Sequence, residues 1–277
     1  MPVVTTNTAA NTALRFLNAN AGEAGQSVGK LASGSRIVRA SDDAAGLAIS
    51  TRLSSDVTTL NQAGINASQG ASVLQVADGG LSRISDVLQR LKALAAQSLS
   101  GVPSDTERAF VDAEFQELLS EIDGIAANTS FNGTSLLDGS TTTQDYFVGT
   151  VATDLISVDF SALSGIVDYR AATLGIGAQA VDTAANATTA IPLLDTALDS
   201  ISEARANVGA IISRFEFRGQ QIATSIENID AARSTITDVD LAQEQSNLVS
   251  SQVLVQAAVS ALSQANQIPQ SLLRVLQ

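Results

Sequence analysis

Hydrophobic side chains recur at seven-residue intervals along most of this chain, with polar positions filling the gaps. Leu53, Leu60, Ala67, Leu74, Leu81, Leu88 and Ala95 form one series, and Ala63, Ala77, Ile84 and Leu91 sit three positions further on. Such spacing returns one stripe of a helix to the same partner every two turns. It predicts one helix from about Ser41 to Ser100, on the order of 85 Å long at ~1.5 Å per residue. Ser41 or Asp42 is its expected N-cap, because a short oxygen-bearing side chain satisfies free first-turn N–H groups. Gly79-Gly80 marks an expected bend or break, since a helical Gly costs roughly 1 kcal/mol relative to Ala. A second series, Leu194, Ile201, Val208, Phe215, Ile222, Ile229 and Ile236, predicts another long helix starting around Ile191-Pro192. Leu198, Ile212 and Ile226 widen its stripe.

Shorter heptad segments occupy the two ends. Leu14, Leu17, Ala21, Ala24, Val28 and Leu31 keep strict a/d spacing before Ser33-Gly34 loosens the helix. At the other end the phase jumps after Ile236, and Leu241, Leu248, Val255 and Leu262 form a separate heptad. Asp238 or Asp240 is the expected cap, and Pro269 the expected stop, because the residue before a proline is biased away from helix. Between the long helices, Ser104-Asp105-Thr106-Glu107 reads as a capping box for a helix bearing Phe110, Phe115, Leu118 and Ile122. Asn132-Gly133 signals a tight turn, and the alternation of Ile156, Val158 and Phe160 signals a strand. The middle, with Arg170 as its lone basic residue, reads as solvent-facing. The fold class is mainly α: long antiparallel heptad helices with a small β-hairpin region in the middle.

Composition narrows the chemistry. The 277 residues include no Cys, His or Trp, which removes zinc sites, thiol nucleophiles and Ser-His-Asp triads. No spaced constellation supports an enzyme, and no cofactor is implied. A net charge of −13 repels nucleic-acid phosphate and anionic lipid. No unbroken run of about 18 apolar residues suggests membrane insertion, and the first residues lack a cleavable secretory pattern. Asp42-Asp43 lacks the further ligands a cation needs.

The ends are nearly uncharged: Arg15, Glu23 and Lys30 precede Ser35, and Glu244 and Arg274 follow Leu241. A hairpin of two such helices hides one stripe on each and leaves residues such as Val249, Val253 and Ala257 wet, which favours association. The ends are therefore expected to be frayed in a lone monomer and ordered among copies. On pattern alone, a four-helix bundle or a coiled-coil dimer remains open.

The segment from Leu31, LASGSRIVRASDDAAGLAISTRLSSDVTTL, continuing NQAGINASQGASVLQVADGGL, resembles the N-terminal signature of bacterial flagellins. Phe131-Asn132-Gly133 with Leu136-Leu137 matches the family's passage from helix to hairpin. ARSTITDVDLAQEQSNL from Ala232 and SALSQANQIPQSLLRVL from Ser260 look like its C-terminal signature. The opening Pro2-Val3-Val4-Thr5-Thr6-Asn7-Thr8 departs from the family's usual start. The resemblance implies a secreted, extracellular subunit that polymerises into the flagellar filament used for swimming. The alternative is a hook-filament junction protein of the same export system. Implied partners are other copies of the chain, an export chaperone, the filament cap and hook-associated proteins.

On that resemblance, residues 1–36 and 241–277 form an inner filament-core coiled-coil domain, packed through Leu14, Leu17, Val28, Leu31, Leu241, Leu248, Val255 and Leu262. Residues 37–130 and 191–240 form a helical domain, packed through the two long series named above. Residues 131–190 are its small, surface-facing β-rich part, with no large outer domain. Arg90, Leu94, Gln97 and Glu114 match family positions read by Toll-like receptors, with packing between subunits as the plainer reading. Ser140, Thr141, Thr142 and Thr143 are candidates for O-linked sugar.

Overall fold

The computed structural model describes residues 6–163 and 165–275, so the unusual Pro2-Val3-Val4-Thr5 opening lies outside the described residues. Among the described residues there are five α-helices: α1 Thr8–Ser33, α2 Ala44–Leu99, α3 Asp105–Asn128, α4 Ala184–Thr237 and α5 Leu241–Val275. β1 (Ser130–Phe131) pairs antiparallel with β2 (Thr134–Ser135), and β3 (Thr143–Phe147) with β4 (Leu155–Asp159). Two compact units result, Asp56–Glu227 and a second made of Met1–Ser55 with Asn228–Gln277.

In the unit spanning Asp56–Glu227, α2 and α4 run antiparallel. Arg205 Nε donates to Asp78 at 2.8 Å, Lys92 pairs with Asp195, and the Phe215 ring lies against Gly70. α3 folds back along α2, where Arg90 meets Glu114 at 2.6 Å. The Leu74, Leu81, Ile84, Leu88 and Leu91 stripe is buried, as are Leu194, Ile201, Val208 and Phe215. On α4 the stripe is completed by Ala197 and Ala204, three positions on, while Leu198 and Ile212 stay half-buried.

Four local expectations are corrected. α2 runs unbroken through Gly79-Gly80. Gly80 is needed because a Cβ there would lie 2.5 Å from Thr129 Oγ1 and 2.8 Å from Leu137 Cδ1. Asp43, rather than Ser41 or Asp42, caps α2: its Oδ1 accepts from the Gly46 N–H at 2.8 Å. α4 begins at Ala184 and carries Pro192 inside it. Burial of Ala187, Ala190, Leu194 and Ala197 on either side outweighs the missing Pro192 N–H. α5 likewise continues past Pro269 to Val275.

The middle is a fifth correction: one side of it packs inward. Leu136, Leu137, Val148, Ile156, Val158, Phe160, Tyr169, Ile176 and Val181 are all buried. A lone two-stranded hairpin is marginal in water, so β3–β4 is secured by the helices. Asn66 Nδ2 on α2 donates to Phe147 O at 2.9 Å and Arg218 Nε on α4 to Val148 O at 3.1 Å. Tyr146 stands edge-on to Phe215, ring centroids 5.4 Å apart, and burial raises its phenol pKa. At β1–β2, Asn132 (φ 50°) and Gly133 (φ 78°) form the predicted two-residue turn.

Candidate assembly surface

The second unit is built on an antiparallel hairpin of α1 and α5. Its α1 seam is Ala13, Leu17, Asn20, Ala24, Ser27 and Leu31, and its α5 seam is Leu248, Ser251, Val255, Ala258, Leu262 and Ala265. Both follow alternating three- and four-residue steps, the spacing of a coiled-coil seam. The Leu17–Ala24–Leu31 series faces inward as the heptad reading implies. Its companion is the line through Ala13, Asn20 and Ser27, so Leu14 and Val28 fall one position outside the hairpin's own contact.

The hairpin seam thus mixes Leu and Val with small and polar groups, and a second set of large apolar groups lies outside it. Leu14 is 45%, Phe16 57%, Val28 51%, Leu241 60% and Val253 57% exposed. Val249, Leu254 and Val259 are about as open. A groove of about 490 Å³ between the helices is lined by Ala13, Phe16, Asn20, Leu254, Ala257, Ala258 and Ala261. Leu241–Gln267 is long and apolar enough, with a mean hydropathy of 1.2, to pass for a membrane span by length and composition. Its repeated Gln, Ser and Asn residues, among them Gln252, Gln256 and Ser260, suit a helix–helix contact better than hydrocarbon.

Where the hairpin ends, the two linkers stitch together. Val239 N–H donates to Gly34 O at 3.1 Å, and Ser35 bridges Asp238. The last carbonyls of α4 have no helical N–H to receive, and this segment supplies donors. Arg36 Nη2 reaches Ile236 O at 2.8 Å, and Ser35 Oγ reaches Thr237 O at 3.0 Å. Gly34 (φ 68°) ends α1 in the left-handed region. Asp240, one of the two expected caps, starts α5 by accepting from Ala242 and Gln243 N–H at 3.0 and 3.1 Å. Asp42 instead ties the linker, and donation from the Arg39 N–H foremost holds its carboxyl below the usual range.

The remaining predicted site residues fall as follows. Leu53 and Ile229 are half-buried, whereas Leu60 and Ile222 are buried. Arg90 and Glu114 meet in an ion pair and Gln97 is exposed, but Leu94 is 2% exposed and belongs to the core. Ser140 Oγ donates to Asp138 at 2.5 Å and Thr141 Oγ1 to Ser135 O at 2.7 Å, while Thr142 and Thr143 are exposed. Two contacts escaped the heptad reading: the Arg36 cap, and a bond from Asn7 Nδ2 to Ala265 O at 2.8 Å. Pro269 was the available signal for the second, since a helical proline leaves the carbonyl four residues earlier without its donor.

Known proteins share this arrangement. The helical N-terminal region of bacterial flagellin matches residues 4–142 and its helical C-terminal region residues 191–276. A flagellin of Halalkalibacterium halodurans is 36% identical over 274 residues, 99% of each chain. A flagellar filament 33 kDa core protein of Treponema phagedenis is 38% identical over 258 residues, covering 89% of this chain and 90% of its own. The crystal structure of Bacillus cereus flagellin superposes with a TM-score of 0.51 at 29% identity, covering 61% of this chain and 94% of that one. With both helical regions matched in order and full-length relatives above 30% identity, the chain belongs to the bacterial flagellin family and is a structural subunit of the flagellar filament.

Proposed function

We propose that copies of this chain polymerise through the apolar faces that α1 and α5 leave outside their own seam. On this reading residues 1–36 and 241–277 form the inner layer around the filament channel. Residues 37–130 and 191–240 surround it, and 131–190 complete that layer. The observation that carries it is the row of half-exposed Leu, Val and Phe side chains on an almost uncharged hairpin. Fully burying one such side chain is worth roughly 1.5–3 kcal/mol. Eight of them, about half of whose surface is already covered, supply on the order of 10 kcal/mol. That is comparable with the roughly 4–15 kcal/mol of lost translational and rotational freedom. One contact is then marginal, and a lattice of neighbours holds. Subunits made this way would leave the cell unfolded, escorted by an export chaperone, and add beneath a cap beyond the hook-associated proteins. The seven-residue repeats running into both ends favour the filament subunit over a junction protein.

Electron microscopy and pelleting of the full chain at neutral pH test this, alongside a chain lacking its last ~35 residues. Long hollow fibres from the full chain and none from the truncation are expected; fibres from both would remove the core assignment. Thr142 and Thr143 are the sites where O-linked sugar would be tolerated, read as an intact-mass increase lost in the double alanine variant. Recognition by a Toll-like receptor would rest on Arg90, Gln97 and Glu114 alone, and a reporter-cell assay with depolymerised protein showing no response would dispose of it.

A further inference from the structure

We infer that Asn7 is a positioning residue that sets the axial register of α1 against α5, and that it does so because of Pro269. The Asn7 side chain has two ends and both are used. Its Oδ1 accepts from the Ala10 N–H at 3.0 Å and caps α1. Its Nδ2 donates to Ala265 O at 2.8 Å on α5. In an unbroken helix that carbonyl would receive the N–H of residue 269, but residue 269 is proline and has none. α5 nevertheless continues to Val275. One amide thus starts α1 and replaces the donor missing from α5.

The need for such a pin follows from the seam. A seven-residue shift of α5 exchanges Leu248, Val255 and Leu262 for one another and Ala258 for Ala265, so its apolar stripe alone does not fix which turn of α1 it faces. Apolar packing of this kind defines register weakly, and a single polar partner defines it strongly. The far end already carries one pin, Val239 N–H on Gly34 O. From that pin to the Asn7 bond is 27 residues along α1 (7 to 34) and 26 along α5 (239 to 265), on the order of 40 Å on each helix. The two strands of the hairpin are clamped at matched lengths. A slipped hairpin would leave Ala265 O and the linker groups without partners, and it would move the outer apolar face relative to a neighbouring subunit.

The test is a cycle of four full-length chains: parent, Asn7→Ser, Pro269→Ala and the double variant. Serine keeps the cap but lacks the amide that reaches Ala265 O. Alanine at 269 restores the helical N–H. Hydrogen exchange over residues 10–31 is followed by mass spectrometry, in the dissolved chain and in any pelleted polymer. In the parent background Asn7→Ser should lower protection by about five- to tenfold, the effect of orphaning one part-buried acceptor. In the Pro269→Ala background the same change should alter protection by less than about twofold. Equal losses in both backgrounds, no loss in either, or no protection of residues 10–31 in any state would each overturn the inference. Because protection is read with or without polymer, failure to polymerise counts against the proposed function and not against this pairing.

Discussion

Two adjacent glycines in the middle of α2 should respond to alanine with opposite signs. Replacing a helical Gly by Ala gains about 0.8–1 kcal/mol of backbone propensity wherever the new methyl has room. At Gly79 nothing lies within 4 Å of the new Cβ, so the full gain is expected. At Gly80 the Cβ would meet Thr129 Oγ1 at 2.5 Å, Thr129 Cγ2 at 2.8 Å and Leu137 Cδ1 at 2.8 Å. Neither neighbour can swing away cheaply. Thr129 Oγ1 donates to Ile125 O at 2.7 Å, its own carbonyl receives Leu136 N–H at 3.0 Å, and Leu137 is fully buried. Overpacking of a filled core costs about 1–3 kcal/mol, so the helix gain is cancelled or exceeded, and the two variants should differ by that amount. Thermal melting of depolymerised protein, at about 2–4 °C per kcal/mol for a unit of this size, is the assay. Gly79→Ala should melt about 2–4 °C above the parent and Gly80→Ala at or below it. If Gly80→Ala gains as much as Gly79→Ala, the turn after α3 does not sit on α2 as described.

Other substitutions separate core from surface in the same way. Phe215→Ala removes a 1%-exposed ring that packs on Gly70 and Tyr146 and should cost about 3–5 kcal/mol. Phe217→Ala, at a 71%-exposed ring two positions on, should stay within about 0.5 kcal/mol; urea denaturation of both reads the contrast. Arg36→Ala should speed exchange in the last turn of α4 several-fold while leaving its middle unchanged, because only Ile236 O loses a donor. Donation from the Ser104 backbone N–H first, and then from its hydroxyl, lowers the Glu107 carboxyl pKa. A depressed folded pKa means that this cap contributes fully above the unfolded value of about 4.3 and is lost as pH falls through the lower folded value. Melting temperature should therefore fall as pH drops below about 4.3, and Glu107→Gln should make that fall shallower.

Much of this was legible in the heptads, because a seven-residue repeat of Leu and Ile has few meanings over fifty residues. Leu74, Leu81 and Leu88 had to share a face, and they are buried together. The misreadings occurred where short-range rules met tertiary packing. Gly79-Gly80 and Pro192 look like breakers in isolation, yet burial on both sides holds each helix through them. The middle segment looked solvent-facing because its Asp residues are prominent; the alternate residues Ile156, Val158 and Phe160 point inward regardless. On α1 the large residues are Leu14 and Val28, whereas the hairpin half-buries Ala13 and buries Ser27 beside them. Size drew the seam one residue away from its place.

That one-residue offset explains why the two units are built so differently. Asp56–Glu227 spends its large side chains inward, with Phe115, Phe160, Tyr169 and Phe215 all fully buried. The α1–α5 hairpin mixes Leu17, Leu31, Leu248, Val255 and Leu262 with small and polar residues in its seam and turns Leu14, Phe16, Val28 and Val253 to the surface. A hairpin that leaves such large residues half-exposed realises only part of the gain they could give, since burial free energy scales with apolar area removed from water. In the proposed assembly the rest would come from neighbours, which meet the outward residues in one arrangement only if those residues keep a defined register. Large groups outside and polar pins inside are therefore parts of one design. In the proposed assembly the first would supply the drive to assemble, and the second would decide which surface is presented when assembly begins.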